Sequence, residues 1–375
     1  MFGWDDFGRG GVVKVLLSAG EPSGDVAGAA VAQALRRRWP DVQLLGLGGP
    51  RMAAAGVQLL ADLGDLAVLG LVEVLGRLPF FWSLRRRLRT LLDVDPPHLV
   101  LPIDYPGLNL WLAEQAHRRG VPVLYYIAPQ VWAWHAQRLK RIAQAVDRLA
   151  VVLPFEEGFF RRAGVPAVFV GHPLVDRLAD YPRESATGSA SILALLPGSR
   201  AQEVRRHLPL MIEAAARVVA RCPAVQPRVA RAPDVPASLY AGTPYPLEND
   251  ATALLRRARA AIVKSGTSTL EAALLGVPFV VVYRLHPWTF ALARRLVRVR
   301  HVALANLIAE ARIAPEFLQK DANPERLADA VLPLLGATPE RARMLEAWER
   351  VRSRLGPPGA ADRVADLAAE LLAAR

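Results

Sequence analysis

Cysteine is almost absent from this sequence of 375 residues, because Cys222 is the only one. A single cysteine cannot form a disulfide within the chain, and so low a content is typical of a reducing compartment. The seven histidines are scattered and show no spacing typical of metal ligands. We therefore expect a mechanism that uses no metal ion and no other cofactor.

Long apolar runs are also missing. No uninterrupted apolar stretch approaches the roughly 20 residues that a membrane-spanning helix needs. The first twelve residues are charged and glycine-rich, unlike the basic and then apolar start of a signal peptide. We therefore expect a cytoplasmic protein, or one that sits on a membrane surface without crossing it.

Lysine is scarce, and the basic residues are nearly all arginine. The net charge of +12 indicates an acidic partner, and nucleic acid, an anionic membrane and a phosphorylated substrate all fit it. The coding bias of a GC-rich genome also explains an arginine excess, so that excess alone does not indicate a binding site. Hydrophobic residues make up 52% of the chain, which predicts a packed interior.

The chain alternates short apolar runs with helical patterns, which predicts parallel sheets covered on both faces. A polar stretch at 181–191 interrupts the alternation and is the best linker candidate. We predict an α/β protein with two doubly wound, Rossmann-like domains facing a cleft, over residues 1–181 and 192–340. Terminal helices at 341–375 are expected to pack back on the first domain or on a partner subunit.

Ligands of open α/β sheets bind beyond the carboxyl ends of the strands, and two loops of the first domain lie there. Residues 18–25 (SAGEPSGD) lead from a strand into a helix, and their glycines permit close backbone approach. A tight turn capped by Ser23 or Asp25 is the alternative. Asp104 directly follows the predicted strand 99–103. In a partly dry cleft it can act as a general base, although an Asp that only forms the turn before Pro106 is equally consistent.

Two loops of the second domain are candidates for phosphate binding. Residues 196–203 (LPGSRAQE) place Arg200, which can donate two hydrogen bonds to a phosphate, at a helix start. Residues 264–271 (KSGTSTLE) bring hydroxyls and backbone N–H groups to the positive end of a helix. Glu271 can bind a ribose hydroxyl there or merely cap the helix. A surface arginine beside a turn is the alternative for Arg200.

Two stretches combine aromatic and leucine residues with arginine, at 79–92 (PFFWSLRRRLRTLL) and 287–300 (PWTFALARRLVRVR). On a helical wheel, Phe81, Leu84 and Leu88 share one face of the first stretch, with arginines away from it. This arrangement is typical of a helix at a membrane interface. A core-facing helix with a charged outer face is the alternative.

Several segments, in order along the chain, resemble the lipid-A-disaccharide synthase family. They are SAGEPSGD at 18–25, LGGPRMAAAG at 47–56, LGLVEVLGRLP at 69–79, IDYPGLN at 103–109, PQVWAW at 129–134, LPFE at 153–156, GHPLVD at 171–176, LPGSR at 196–200, KSGTSTLE at 264–271, YR at 283–284 and ANLI at 305–308. The sequence departs from the family pattern at His135, where an arginine or lysine is expected.

The resemblance implies a GT-B fold and an inverting glycosyl transfer. The family transfers 2,3-diacylglucosamine from UDP-2,3-diacylglucosamine to 2,3-diacylglucosamine 1-phosphate (lipid X), and UDP is released. It also implies a peripheral position at the inner face of the inner membrane, and a homodimer is compatible with it. No RNA-binding module is recognisable, so we do not expect a nucleic-acid partner.

The resemblance also suggests a role for each candidate residue. Asp104 is the implied base, and the acceptor side of the site is assigned to Glu21, Ser23 and Asp25. The residues that would hold UDP are Arg200, Ser265, Gly266, Thr267, Ser268, Glu271 and Asn306. The candidates for membrane or acyl-chain contact are Phe81, Trp82, Leu84, Leu88 and Trp288.

Two other interpretations compete with this one. One is a different GT-B enzyme that uses UDP-GlcNAc, such as a peptidoglycan glycosyltransferase or a UDP-sugar 2-epimerase. The pairing of PQVWAW with IDYPGLN argues against it. The other is a basic binding protein for RNA or membranes, which the net charge suggests.

Overall fold

The computed structural model describes residues 12–62, 78–132, 137–179, 181, 191–233, 235–285, 290 and 301–374. Two compact units divide the chain, one formed by residues 1–176 with 357–375 and the other by residues 177–356. The predicted borders at 181, 192 and 340 differ from these limits by several residues. The family resemblance assigns the acceptor to the first predicted domain and the UDP-sugar to the second, and this assignment stays a prediction.

Strands and helices alternate through the first unit. Its strands are β1 Lys14–Ala19, β2 Gln43–Gly48, β3 Gln58–Asp62, β4 Leu99–Ile103, β5 Leu124–Tyr126, β6 Arg148–Val151 and β7 Ala167–Phe169. Its helices are α1 Pro22–Arg38, α2 Pro50–Ala54, α3 Leu78–Val94, α4 Pro106–His117, α5 Arg138–Ala145, α6 Pro154–Arg162 and α7 Pro173–Ala179, whose last three residues belong to the second unit, together with α14 Ala360–Ala373 near the end of the chain.

These strands form one parallel sheet in the order β3-β2-β1-β4-β5-β6-β7. The chain reverses its direction of winding between β1 and β4, which pair directly, with Ala19 opposite Ile103. In a doubly wound sheet this reversal opens a crevice at the carboxyl ends of the two strands. The loop 18–25 and Asp104 follow those two strands, so the fold brings them to one place.

The second unit repeats this plan. Its strands are β8 Ser191–Leu196, β9 Val225–Ala230, β10 Leu247–Glu248, β11 Ala258–Lys264, β12 Phe279–Tyr283 and β13 Glu316–Leu318. Its helices are α8 Ala201–Arg221, α9 Ala251–Arg257, α10 Thr267–Leu274, α11 Leu304–Ala309, α12 Pro324–Leu335 and α13 Pro339–Arg354, with short 3-10 helices at Ala237–Tyr240 and Gln319–Asp321.

The second sheet is also parallel, in the order β10-β9-β8-β11-β12-β13. Its winding reverses between β8 and β11, where Leu196 lies opposite Val263. The two predicted phosphate loops follow these strands, so both lie at the reversal point of their sheet. The prediction of two doubly wound parallel sheets is therefore confirmed.

The central strands are buried along their length, because helices cover both faces of each sheet. All five residues of β4 are buried, and in β11 only Arg259 and Lys264 are partly exposed. This explains why these strands read as continuous apolar runs in the sequence. None of the helices within the described ranges combines the length and apolar character that crossing a bilayer requires.

The predicted group of terminal helices is divided between the units. Helix α13 lies in the second unit, whereas α14 packs on α1 in the first. Both carboxylate oxygens of Asp176 accept hydrogen bonds from the backbone at the start of α14, at 2.6 Å from Gly359 N and 3.0 Å from Ala360 N. Asp176, in the GHPLVD segment, thereby anchors the start of the last helix to α7.

Candidate active site

Asp104 lies at the carboxyl end of β4, with part of its surface open. Desolvation by burial raises the pKa of its carboxyl group to about 6, and the negative charge of Glu21 adds to the rise. The backbone N–H of Asp104 donates to the carbonyl of Tyr126 at 3.0 Å, which extends the pairing of β4 with β5. The raised pKa that we expected for a candidate base is therefore present.

The first loop approaches Asp104 closely because it contains glycine. A Cβ atom on Gly20 would lie 2.2 Å from Cδ1 of Tyr105, so the tyrosine ring packs directly on the glycine backbone. Glu21 occupies the N-cap position of α1, and Ser23 is exposed in the first turn. Glu21 lies close enough to Asp104 for its charge to raise the pKa of that carboxyl group.

Asp25 has a different place from the one predicted. Its buried carboxylate accepts three hydrogen bonds from backbone N–H groups, at 2.8 Å from Gly49, 3.1 Å from Arg51 and 3.0 Å from Met52. These groups open helix α2 in the LGGPRMAAAG segment. Both oxygens of Asp25 are engaged in holding that helix start, so the side chain supports the site from outside it.

In the second unit, a carboxylate joins the two phosphate-loop candidates. Glu203, in the first turn of α8, accepts from Ser199 N at 3.1 Å and pairs with Lys264 Nζ at 2.7 Å. Desolvation opposes ionisation of Glu203, but the hydrogen bond and charge of Lys264 outweigh it and lower its pKa. A Cβ atom on Gly198, whose φ is +125°, would meet the Glu203 carboxylate at 2.5 Å. The glycine therefore makes room for this link.

Three side chains at this site, which we call its open groups, are accessible to solvent: Arg200, Thr267 and Ser268. Arg200 is exposed at the N-cap of α8, Thr267 is exposed and Ser268 is half-buried at the start of α10. Gly266 precedes that helix with φ 147°. The first-turn N–H groups of a helix have no carbonyl partner within it, so this end of α10 suits an anion.

Two other predicted UDP ligands, Ser265 and Glu271, make contacts within the protein. Ser265 Oγ donates to Val302 O at 2.7 Å. Glu271 Oε1 accepts from Arg177 Nη2 at 2.8 Å and from Thr252 Oγ1 at 2.5 Å. These contacts place both side chains beside the open groups and fix their orientation.

Asn306 is fully buried, and its amide is satisfied by its own surroundings. Oδ1 accepts from Ile313 N and Ala314 N, while Nδ2 donates to Ala314 O and to Glu316 Oε1, all within 3.1 Å. Glu316 also accepts from the backbone of Val302 and Ala303. Asn306 therefore holds the segment against which Ser265 packs, and a direct contact with UDP would require one of these bonds to break.

The predicted membrane contacts on α3 need correction. Leu84 and Leu88 are 2% and 1% exposed and belong to the core of the first unit. Phe81 is partly buried against that core, and only Trp82, at 74%, is widely exposed. The prediction is wrong for the two leucines, because the leucine face of the helix packs inward, as in an ordinary amphipathic helix.

Some predictions lie outside the described residues. They are Trp288, His135, the end of the PQVWAW segment, most of LGLVEVLGRLP and nearly all of the stretch 287–300. Among the described residues, no group of three or more histidine, cysteine, aspartate or glutamate side chains could hold a metal ion.

Four residues with buried or bridging contacts have no clear signal in the local sequence, namely Asn109, Tyr125, Glu156 and Glu203. Asn109 is the one polar residue in the apolar run LNLWL of α4, and a lone polar residue in such a run could have signalled a buried contact. Glu156 stands inside the quoted LPFE segment. Each of these residues has a partner on a distant segment, such as Trp132 for Glu156 and Lys264 for Glu203, which the local pattern does not reveal.

A family model described as lipid-A-disaccharide synthetase matches residues 15–356. The chain is 41% identical to the lipid-A-disaccharide synthase of Syntrophus aciditrophicus, over 96% of this chain and 97% of that protein. It is 42% identical to the enzyme of the same name from Trichlorobacter lovleyi, over 94% of this chain and 96% of that protein.

Solved structures with a similar fold are more distant in sequence. A UDP-GlcNAc 2-epimerase from Neisseria meningitidis bound to UDP-GlcNAc has a TM-score of 0.60 and 11% identity, over 97% of this chain and 100% of that one. The glycotransferase of kitacinnamycin has a TM-score of 0.63 and 17% identity, over 97% and 100%. At these identities the likeness shows the fold alone, and it confirms the predicted GT-B class.

Proposed function

The chain belongs to the lipid-A-disaccharide synthase family of glycosyltransferases, and from this premise we propose its reaction and the residues that carry it. The donor is UDP-2,3-diacylglucosamine, and the acceptor is 2,3-diacylglucosamine 1-phosphate (lipid X). A hydroxyl of the acceptor attacks the anomeric carbon of the donor, and the bond from that carbon to UDP breaks. The products are a β-1,6-linked disaccharide 1-phosphate and UDP.

Asp104 is the general base of this transfer. Its carboxylate takes the proton of the acceptor hydroxyl as the new glycosidic bond forms. A pKa of about 6 supports this role, because the group is ionised at neutral pH yet holds a proton more tightly than an ordinary aspartate does. The observation that carries the proposal is the position of Asp104, directly after β4 at the point where the sheet reverses its winding. Glu21 contributes by raising that pKa, and Ser23, exposed beside it, is proposed to contact the acceptor.

The open groups of the second unit bind the diphosphate of UDP. Departure of UDP leaves negative charge on the diphosphate, and Arg200 together with the start of α10 can stabilise it. The hydroxyls of Thr267 and Ser268 and the N–H of Gly266 add donors at the same place. Glu271 is proposed to bind a ribose hydroxyl.

The remaining candidates act through other groups. Ser265 and Asn306 hold the segment around Val302 against the phosphate loop. Asp25 holds the start of α2 beside the acceptor loop. We propose that these three residues are needed for the shape of the site and make no direct contact with the reacting atoms.

The acylated substrates suggest a peripheral position at the inner face of the inner membrane. Trp82 is exposed on α3, one turn before the exposed Arg86, and supports a contact with an anionic lipid surface, because aromatic and basic side chains favour that interface. Phe81 lies beside it and is partly open. A homodimer stays a prediction.

The test is turnover with both acylated substrates in detergent micelles, followed as release of UDP with and without a metal chelator. Asp104→Asn is expected to lower kcat by about 1000-fold, within the usual range for loss of a general base. Asp93→Asn is the matched control, because Asp93 is exposed on α3 and pairs with Arg119. Near-normal turnover by Asp104→Asn would remove Asp104 as the base. Activity on UDP-GlcNAc alone would favour another GT-B enzyme.

A further inference from the structure

Asp104 and Tyr105 form an adjacent pair of non-glycine residues with left-handed backbone angles, at φ 48° and 47°. This region is sterically unfavourable for any residue with a Cβ atom. Tyr105 also precedes Pro106, whose ring further disfavours helical angles in the residue before it. Such conformations persist only where surrounding contacts fix them. The turn that carries Asp104 is therefore held by specific contacts.

Two side chains supply contacts of this kind. Asn109 Nδ2 donates to the backbone carbonyl of Asp104 at 2.8 Å, and the hydroxyl of Tyr125 donates to the same carbonyl at 2.6 Å. Both residues are 0% exposed. They come from different elements, α4 and β5, so the carbonyl is fixed from two directions in a region without bulk water.

Asn109 extends this contact to the neighbouring strand. Its Nδ2 atom lies 2.9 Å from Ser18 O and 3.1 Å from Ile103 O. The hydroxyl of Ser18 donates in turn to Asn109 Oδ1 at 2.5 Å. Ser18 lies near the end of β1, just before the loop that carries Glu21. One buried amide thus joins the carboxyl ends of the two strands that meet at the reversal point.

We propose that Asn109 and Tyr125 are positioning residues for the glycosyl transfer, which hold the Asp104 carboxyl group where it can accept the proton of the acceptor hydroxyl. This inference rests on the proposed role of Asp104 as the base. These two hydrogen bonds go to the backbone carbonyl and not to the carboxyl group, which is bonded to the backbone of Tyr105 and keeps its remaining acceptor capacity for the substrate. Catalytic groups need such support, because a displacement of about 1 Å can cost about 100-fold in rate.

Tyr125→Phe is the sharpest test, because it removes one donor to the Asp104 carbonyl and keeps the ring in the core. Tyr126→Phe is the matched control at the next position of the same strand. The Tyr126 side chain is also buried. Its hydroxyl interacts electrostatically with Asp176 and Arg363, and not with Asp104. Both variants keep the charges of the native protein.

We would measure kcat, KM for both substrates and the pH profile of kcat in the full-length protein. Tyr125→Phe is expected to lower kcat about 10-fold with little change in the donor KM. The acid-side inflection should move to lower pH, because a loosened turn lets the Asp104 carboxyl meet more water. Glu21 and Glu156, whose carboxyl groups interact electrostatically with Asp104, stay in place. Tyr126→Phe should match the native enzyme.

A second variant, Asn109→Leu, removes all the donors of the amide at similar volume and should lower kcat further. Equal kcat values for Tyr125→Phe and Tyr126→Phe would overturn the proposal, even if Asn109→Leu fails to fold. So would a loss of kcat with an unmoved pH profile, which indicates a general packing defect. Asp104→Asn separates the two levels of inference. If that variant stays active, the base assignment itself is wrong; if it is inactive while Tyr125→Phe is normal, only the positioning role fails.

Discussion

The indole N–H of Trp132 donates a 2.9 Å hydrogen bond to Oε1 of Glu156, a carboxyl group that is 1% exposed. Oε2 of the same group accepts from Leu153 N at 3.0 Å. Glu156 thereby ties the loop after β5 to the first turn of α6. Burial raises its pKa to about 7 against the opposing effect of these hydrogen bonds, and the charge of Asp104 adds to the rise. A second perturbed carboxyl group therefore lies within electrostatic reach of the candidate base.

Glu156→Gln is expected to gain stability relative to the native protein as the pH rises. The folded-state pKa of about 7 lies above the ordinary 4.5, so the native state binds this proton more tightly than the unfolded state. The resulting stabilisation is complete below pH 4.5 and is lost as the pH rises through 7. The variant has no such loss. The difference in the free energy of unfolding between the two proteins should therefore shift in favour of the variant by about 1 to 3 kcal/mol between pH 5 and pH 8.

Thermal unfolding at the two pH values measures this shift. The glutamine also loses the bond to Leu153 N, but that cost is the same at both pH values and cancels in the comparison. Glu157→Gln is a suitable control, because Glu157 forms an exposed pair with Arg161 and such pairs contribute little. A difference in stability between Glu156→Gln and the native protein that is the same at both pH values would contradict the assigned pKa.

Asp104→Asn should be more stable than the native protein at pH 8, although it is expected to be inactive. The pKa of Asp104 is raised from 3.8 to about 6 by burial and by Glu21. The native protein therefore loses stability as the pH rises through that range, by about 1 to 3 kcal/mol, and the variant does not. Catalytic residues often carry such a cost.

The measurement is again thermal unfolding, at pH 4 and pH 8. Asp93→Asn should change little over this interval, because a hydrogen bond from Arg119 lowers the pKa of Asp93 and places its titration at more acidic pH. The stabilisation that the Asp93 carboxylate gives the folded protein is present above its ordinary pKa and is lost as the pH falls through the lowered one. If both variants respond to pH with the same sign, the desolvation of Asp104 is not the cause.

The sequence predicted the strands and the loops that follow them because buried parallel strands are continuous apolar runs. The limits of β4 agree with the predicted range 99–103. Helix α8 begins at Ala201. Its first two turns are polar and charged, so the apolar period starts later than the helix. Five strands were missed for want of a clear pattern, namely β3, β7, β9, β10 and β13.

Individual side-chain roles were harder to predict, since they depend on partners far away in the chain. Asp25 resembles a helix cap in its own loop, but its carboxylate caps α2. The leucine face of α3 gives the same wheel pattern whether it meets lipid or a protein core. Only the packing of Leu84 against the core distinguishes the two. The position of Asp104 was predictable, because it directly follows the buried strand β4, whereas its role as the base stays a prediction.

Glu271→Gln should weaken the binding of UDP about 10-fold if the carboxylate binds a ribose hydroxyl, since hydrogen bonds to charged groups are the stronger kind. The comparison ligand is 2′,3′-dideoxy-UDP, which lacks the ribose hydroxyls. Its affinity should be lower for the native protein and should change little in the variant. Calorimetry with both nucleotides measures the difference.

Thr252→Ala is the control for this experiment. Thr252 donates to Glu271 at 2.5 Å, so its loss disturbs the orientation of the carboxylate but leaves its charge. We expect Thr252→Ala to weaken the binding of UDP less than Glu271→Gln does. It should leave the affinity for the dideoxy nucleotide unchanged. Equal weakening of both nucleotides by Glu271→Gln would show that Glu271 holds Arg177 and the loop without touching the ribose.

Trp82→Ser should weaken association with vesicles that contain anionic phospholipid. Trp82 is exposed on α3, and burial of such a ring in the interface supports about a 10-fold change in affinity. Its removal should leave thermal stability unchanged. Leu84→Ala is the structural counterpart. It should lower stability by about 2 to 5 kcal/mol, because Leu84 fills the core, while the folded fraction binds vesicles normally.

Co-sedimentation with vesicles, corrected for the folded fraction, separates these effects. Leu247→Ser removes an exposed apolar side chain from the second unit and serves as the matched surface control. Vesicle binding that is equal for Trp82→Ser and Leu247→Ser would exclude Trp82 as the specific contact. Weaker binding by folded Leu84→Ala would instead show that the leucine face does reach the lipid, which its burial against the core argues against.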